Sequence, residues 1–347
     1  MDVVEHLSAL VGFDTQNPPR SFGAEILEYI KAELAGFEFE EWDHGEGRRT
    51  LLATRGAPEI LINFHLDTVP AAAGYTRDPH VLHVEDGRAY GLGACDIKGA
   101  SAAAIAAAQA STGPIALLFT TDEEAGSSEC VRRFCELGRP FKVVLVAEPT
   151  SCKAVLEHRG ILTYRAEFEG VSGHASSGRA ESDSALHHAV RWANQILDAS
   201  ARRHDTYKNL SGLAFNLGRL EGGVKPNMIA SSTELSFGFR PLPGMDGEKI
   251  VAEWAFKPRP ASLTRGFYGP PLPTPGRAPA AEIAQELGLE IADPVNFWTE
   301  ASLFSQGGYD ALVFGPGDIA QAHTADEWVS VDDLHAAFTH YRRIMSL

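Results

Sequence analysis

Four short runs of continuous apolar residues constrain this chain more than any other feature: "ILINF" (60–64), "PIALLFTT" (114–121), "KVVLVA" (142–147) and "ALVFG" (311–315). Each has the length of a strand, and none alternates apolar with polar, so both faces have to be covered. Helix-periodic stretches fall between them, near 2–12, 22–36 and 127–137, with the Ala-rich "ASAAAIAAAQAS" (100–111) reading as a packed helix. Further helices are expected near 279–287 and 331–345. Alternation of this kind predicts an α/β fold, a sheet of buried strands with helices on its faces.

The texture changes near residue 153. "ILTYRAEFEG" (161–170) and "STELSFGFRP" (232–241) alternate residue by residue and enclose a helix-periodic segment at 182–200. Strands with one solvated face belong to an α+β domain, which this pattern places as an insertion into the first. The Pro-rich "YGPPLPTPGRAP" (268–279) reads as the return linker. The expected organisation is therefore a first domain from 1–152 and 269–347, with 153–268 inserted. Little chain separates "GEKIVAEWA" from the return, so the inserted domain's last strand and its exact boundary are left open.

At 347 residues the chain is long enough for two domains with a substantial core. Thirty basic against forty-six acidic side chains give a net charge of −16, which repels nucleic acid and anionic membrane surfaces. No stretch is apolar enough to span a bilayer, and no basic leader precedes an apolar segment, so a cytoplasmic location is expected. The four cysteines form no CxxC pair and read as free thiols.

Polar side chains collect where the apolar runs stop. His65 and Asp67 follow the first run in "HLDTVP", spaced so that both project from one face of the strand. Asp122, Glu123 and Glu124 follow the second in "TTDEEAGSS", and Glu148 follows the third in "VAEPT". His323 follows the fourth in "GPGDIAQAHTADEW", while Asp96 sits where the Gly-rich "GLGACDIKGA" meets a helix. Taken singly, an acid in such a place is most often a solvated turn residue, and an aspartate before a helix is most often its N-cap. Together they lie beyond the carboxyl ends of strands, where open α/β sheets bind ligands. Two histidines with several carboxylates suit zinc or another borderline divalent ion, and a shared carboxylate permits a two-metal cluster. Of the adjacent Glu123 and Glu124, a turn lets one ligate metal while the other stays free as a base for metal-assisted hydrolysis.

In order along the chain, "HLDTVP", "GLGACDIKG", "TTDEEAGS", "AEPT", "GVSGHAS", "GGVKPNMIA", "FRPLPG" and "GPGDIAQAHTADEWV" resemble the landmarks of metallopeptidase family M20. With "TEASLF" upstream, the last of these is most similar to the acetylornithine deacetylase branch. The resemblance implies a zinc-aminopeptidase-like catalytic domain with an inserted ferredoxin-like lid that also forms a homodimer. It implies two divalent metal ions, zinc or cobalt, one held by His65, Asp96 and Glu148 and the other by Asp96, Glu124 and His323, with Asp96 bridging. Asp67 would hydrogen-bond to His65 and fix its tautomer, and Glu123 would serve as general base and then general acid. His174 of "GVSGHAS" would reach into the partner subunit's site to stabilise an oxyanion. Arg240 and Asn227 would grip the substrate α-carboxylate, and Glu300 would face a cationic substrate side chain or belong to a helix start. The other histidines read as ordinary, His158 in "EHRG" standing nearest the entry to the lid.

The reaction implied is hydrolysis of the amide of an N-acetylated amino acid, N-acetyl-L-ornithine or N-acetyl-L-citrulline, in arginine biosynthesis. The alternatives are a succinyl-diaminopimelate desuccinylase, a general aminoacylase or a dipeptidase of the same family. A non-catalytic dimeric binding relative would lack a ligand or the base, and here every position is filled.

Overall fold

The computed structural model describes residues 2–18 and 24–347, which divide into two compact units. The first comprises Met1–Leu156, Arg277–Asp293 and Thr299–Leu347; the second comprises Glu157–Gly276 and Pro294–Trp298. The short return at 294–298 is fastened by main-chain bonds such as Val295 N to Glu157 O at 3.1 Å, a pairing between residues too distant in sequence for any local pattern to signal.

The first unit is built on a six-stranded sheet in the order Glu38–Asp43, Arg49–Arg55, Ile115–Thr120, Ile60–His65, Val143–Val146 and Asp310–Val313. The last four strands run parallel, and they are the four apolar runs of the sequence. Ile115–Thr120 and Val143–Val146 are buried at every position, as strands covered on both faces must be. Register places His65 opposite Thr120 and Asn63 opposite Val146, so the residues that follow these strands emerge along one edge. The two antiparallel strands at the far side carry a mixed pattern, "EFEEWD" and "RTLLATR", which hides them from a search for continuous apolar runs.

Helix Gly99–Gln109 explains its own composition. It packs against both Val3–Val11 and Val331–Ile344, and every residue from Gly99 to Ala108 is buried. Only small side chains fit such a position: a Cβ on Gly99 would lie 2.5 Å from Ala94 O and 3.0 Å from Leu334 Cδ2. The helix expected at 22–36 is described as Glu25–Glu33, its first two expected positions lying outside the described residues. Among the described residues no helix is long and apolar enough to cross a membrane.

The second unit is a four-stranded antiparallel sheet in the order Ala214–Gly222, Ser232–Arg240, Ile161–Glu169 and Ser262–Gly269. Leu162, Tyr164, Ala166 and Phe168 alternate inward and meet Trp192 and Ile196 of helix Ala185–Ala201. The strand left open by the sequence is Ser262–Gly269, which pairs with Ile161–Glu169 and is the next element after the seven-residue helix Gly247–Glu253. It was inconspicuous in the sequence because it is mostly exposed and its pairing shifts register between Arg265 and Tyr268.

Gly170, at the end of Ile161–Glu169, leads the chain toward His174. An added Cβ would meet Asp183 O at 2.3 Å, Ala230 O at 2.5 Å and Ala185 N at 2.6 Å, all main-chain atoms that cannot swing aside. Gly170→Ala is therefore expected to destabilise the protein by about 1–3 kcal/mol, read as a lowered denaturant midpoint.

Candidate metal centre

The edge where the parallel strands end gathers the acids and histidines. His65 terminates its strand with the side chain 3% exposed, and its Nε2 lies 3.0 Å from Asp96 Oδ1 and 3.8 Å from Glu148 Oε1. His323 follows the strand Asp310–Val313 at the end of a longer loop and has φ +61°. Its Nε2 lies 3.3 Å from Asp96 Oδ2 and 3.0 Å from Glu124 Oε1. Two groups result, His65 with Asp96 and Glu148, and Asp96 with Glu124 and His323, each with potential ligand atoms within 4.8 Å of one another. Asp96 belongs to both, offering one carboxylate oxygen to each histidine.

The donor chemistry fits a cation between these atoms. His65 Nδ1 lies 2.9 Å from the main-chain carbonyl of Asp67, which can only accept, so Nδ1 carries the proton. The Nε2 lone pair is thus left facing the carboxylates of Asp96 and Glu148, an arrangement that needs either a second proton or a metal ion. Burial alone would lower the His65 imidazole, yet Asp96, Glu148 and Glu123 together raise it well above the usual histidine range. Hydrogen bonds to Asp96 and Glu124 push His323 up to about 10. Burial would raise Asp96 too, but the bonds from His323 and His65 hold it well below the ordinary carboxylate range. Burial, reinforced by Asp96, drives Glu148 well up, and burial with the neighbouring Glu124 does the same for Glu123.

The segment "TTDEEAGS" sorts its three acids by environment. Asp122 turns inward, where its carboxylate accepts from Ser127 Oγ at 2.9 Å and from the main-chain nitrogen of Glu129 at 2.6 Å, starting helix Glu129–Glu136. Glu124 turns toward His323, while Glu123 belongs to neither ligand group.

Asp67 bonds to His65 as expected, but through its main-chain carbonyl, which leaves its carboxylate for a second task. Its carboxylate stands 3.7 Å from His65 Nδ1, and the close bond to that ring comes from its own main-chain carbonyl. The fully buried carboxylate instead accepts from the main-chain nitrogens of Glu123 at 3.3 Å and Glu124 at 3.0 Å, and from Asn17 Nδ2 at 3.0 Å. It fixes the turn that separates the two glutamates.

Glu300 stands at a helix start, one of the two places expected for it. It directly precedes helix Ala301–Gln306 but makes no side-chain cap, is 1% exposed, and has Oε1 without a hydrogen-bond partner. Burial, then the charge of Asp122, raises its carboxyl to about 8, so it is largely uncharged at neutral pH and is a poor partner for a cationic substrate group.

His174, Asn227 and Arg240 belong to the second unit. His174 is exposed; its Nδ1 accepts from the main-chain nitrogen of Ser176 at 3.2 Å and contacts Ser176 Oγ at 2.7 Å. The neutral ring therefore carries its proton on Nε2. Asn227 lies beside it, its carbonyl accepting from Ala175 N at 3.0 Å. Arg240 ends the strand Ser232–Arg240 and lines a groove of about 620 Å³ with Thr163 and Asn216. His158 is buried and lowered to about 4 by that burial, in keeping with a structural role.

Two buried charges went unnoticed in the sequence. Arg159 spans Ser211 O at 2.7 Å, Gly212 O at 2.8 Å and Arg240 O at 3.2 Å, anchoring the strand end that carries Arg240. Glu327, in "TADEWV", binds the loop that presents Asp96; burial and then Asp96 raise its carboxyl to about 7. The local signal was a charged residue adjoining a motif, which alone does not distinguish an anchor from a solvated side chain.

The sequence profile of peptidase family M20/M25/M40 matches residues 61–347. The N-acetyl-L-citrulline deacetylase of Xanthomonas campestris pv. campestris is 49% identical over 355 aligned residues, covering 99% of this chain and 97% of that protein. An acetylornithine deacetylase of Vibrio campbellii is 31% identical, covering 96% of this chain and 94% of that one. In fold, the chain is similar to the crystal structure of an M20 family metallo-carboxypeptidase from Sulfolobus solfataricus, with a TM-score of 0.77 at 17% identity and 99% of both chains covered.

Asp67→Ala would leave two buried main-chain donors without an acceptor. A loss of about 2–4 kcal/mol in stability is expected from urea unfolding, far more than a surface aspartate would cost.

Proposed function

The chain belongs to peptidase family M20/M25/M40, and from that membership we propose that it is a two-metal amidohydrolase that removes the acetyl group from an N-acetyl amino acid, N-acetyl-L-citrulline in the first instance, in arginine biosynthesis. The observation that carries the reading is the pair of ligand groups sharing Asp96, with Glu123 beside them and outside both. The choice of citrulline rests on the 49% identity to the Xanthomonas deacetylase. N-acetyl-L-ornithine is the second reading, favoured by the 31% identical Vibrio relative.

On this reading His65, Asp96 and Glu148 hold one divalent ion, zinc or cobalt, and Asp96, Glu124 and His323 hold the other. Bound there, such ions would supply an acidified water and polarisation of the acetyl carbonyl. Glu123 takes the proton from the attacking water as the new carbon–oxygen bond forms, and returns it to the amine nitrogen as the carbon–nitrogen bond breaks. Acetate and the free amino acid leave. Asp67 holds the turn that keeps Glu123 free of the ligand groups. The guanidinium of Arg240 is shaped for the substrate α-carboxylate, with Asn227 as its companion.

His174 donates from Nε2 to the developing oxyanion, supplied by the second copy in a homodimer. Support for the dimer comes from the open edge strand Ala214–Gly222 and its exposed Leu220, with Val224 just beyond it. A cytoplasmic location follows from the biosynthetic role.

Glu123→Ala should retain both metal ions by elemental analysis while kcat falls about 10²–10⁴-fold; unchanged turnover would exclude Glu123 as the base. In the same assay, kcat/KM on N-acetylcitrulline should exceed that on N-acetylornithine, and the reverse order would select the second reading. Chelation should abolish activity, and zinc or cobalt should restore it. If His174 acts across the dimer, a one-to-one mixture of remixed Glu123→Ala and His174→Ala subunits should recover about a quarter of wild-type activity, whereas action within one subunit gives none.

A further inference from the structure

Glu327 is 2% exposed and belongs to neither ligand group. It accepts three main-chain hydrogen bonds of 2.9 Å each, from Gly93 N on Oε2 and from Cys95 N and Asp96 N on Oε1. All three donors lie on the loop that presents Asp96. That loop has little regular structure to support it: its backbone leaves helical geometry at Asp96 (φ −120°, ψ 87°) and Ile97 (φ −138°, ψ 32°). The grip is two-sided, because the carbonyl of Glu327 also accepts from Gly91 N at 3.0 Å. From the other direction Gly93 is pressed close, with room for no side chain: a Cβ there would stand 2.6 Å from Thr68 Cγ2. The fully buried Lys98 donates from Nζ to Phe13 O at 2.8 Å and lies in the electrostatic reach of Glu327, with burial lowering its ammonium to about 7.

Glu327 also lies four positions after His323, and its neighbour Trp328 is paired with Tyr90 in a short antiparallel ladder. One side chain thus fastens the segment bearing His323 to the loop bearing Asp96, two residues of the same ligand group.

We infer that Glu327 is a positioning residue for the metal centre, holding the Gly93–Asp96 main chain so that the Asp96 carboxylate spans both ligand groups; this rests on the reading of Asp96 as the shared ligand. Uncharged, hydrogen-bonding replacements do not reproduce the grip. A glutamine offers one acceptor oxygen and turns an N–H toward a main-chain N–H, so at least one donor is expelled.

The test uses full-length metal-free protein titrated with cobalt(II), followed by equilibrium dialysis, visible absorption and electron paramagnetic resonance. In Glu327→Gln the weaker of the two cobalt equivalents should bind 10- to 100-fold less tightly, as expected for loss of a residue that orients a ligand. The absorption band and the magnetic coupling of the doubly loaded form should change, and at saturating cobalt kcat should fall while KM for the acetylated substrate stays within about twofold. Glu327→Asp keeps the charge with a shorter reach and should lie between the two; it is the variant of record if the glutamine form does not fold. A folded Glu327 variant with two cobalt sites of wild-type affinity and an unchanged spectrum would overturn the inference, whatever its melting temperature. Asp96→Asn is the separate control: if it binds two cobalt ions as the wild type does, the reading of Asp96 as shared ligand fails, and the inference with it.

Discussion

The structure depends on a concentration of negative charge that it cannot sustain alone. Asp96, Glu148 and Glu124 converge with their side chains 7–8% exposed, and Glu123 stands next to them. Carboxylates at such spacing repel strongly in a poorly solvated site, and only positive charge placed among them relieves it. In the bare chain that charge is the proton on each imidazole, which accounts for the raised His65 and His323. A pair of dications would satisfy the same atoms without those protons, so metal binding at these groups would release histidine protons.

Other buried acids keep this arrangement in place and do not join it. Asp122 spends its oxygens on the start of Glu129–Glu136, Asp67 on the amides of Glu123 and Glu124, and Glu327 on the amides of Gly93, Cys95 and Asp96. Each converts a stretch of irregular backbone into a fixed one by accepting main-chain donors that would otherwise be buried unsatisfied. Two functions of the same chemical group thus separate cleanly. Carboxylates that face N–H donors organise the chain; carboxylates that face imidazoles and one another are the ones that could hold cations.

That division marks the boundary of what the sequence discloses. The four apolar runs are legible because fully covered strands need continuous hydrophobic residues, and their ends disclose His65, Glu124, Glu148 and His323 as neighbours. Whether an acid meets an amide or an imidazole is decided by backbone turns of a few residues. The sequence thus pairs Asp67 with His65 but does not disclose that the bond is made by the main-chain carbonyl, leaves Glu300 between substrate and a helix start, and lets Glu327 pass unremarked. The strands Glu38–Asp43 and Ser262–Gly269 escape for a related reason: half-solvated and edge strands carry charges that mask their pattern.

His174 shows how little machinery is needed to specify a proton. The main-chain nitrogen of Ser176 can only donate, so Nδ1 of the ring accepts and Nε2 bears the hydrogen in the neutral form. A neutral imidazole held in this tautomer is already a hydrogen-bond donor and needs no protonation to stabilise a developing oxyanion. The hydroxyl of Ser176 holds the ring from the same side at 2.7 Å. Donor capacity at His174 is thus set by local geometry at the exit from Gly170, while acceptor capacity at Glu123 is set by the turn on Asp67. On the proposed reading, the two proton roles of the amide hydrolysis would be fixed by unrelated backbone features, each within a few residues of the group it controls.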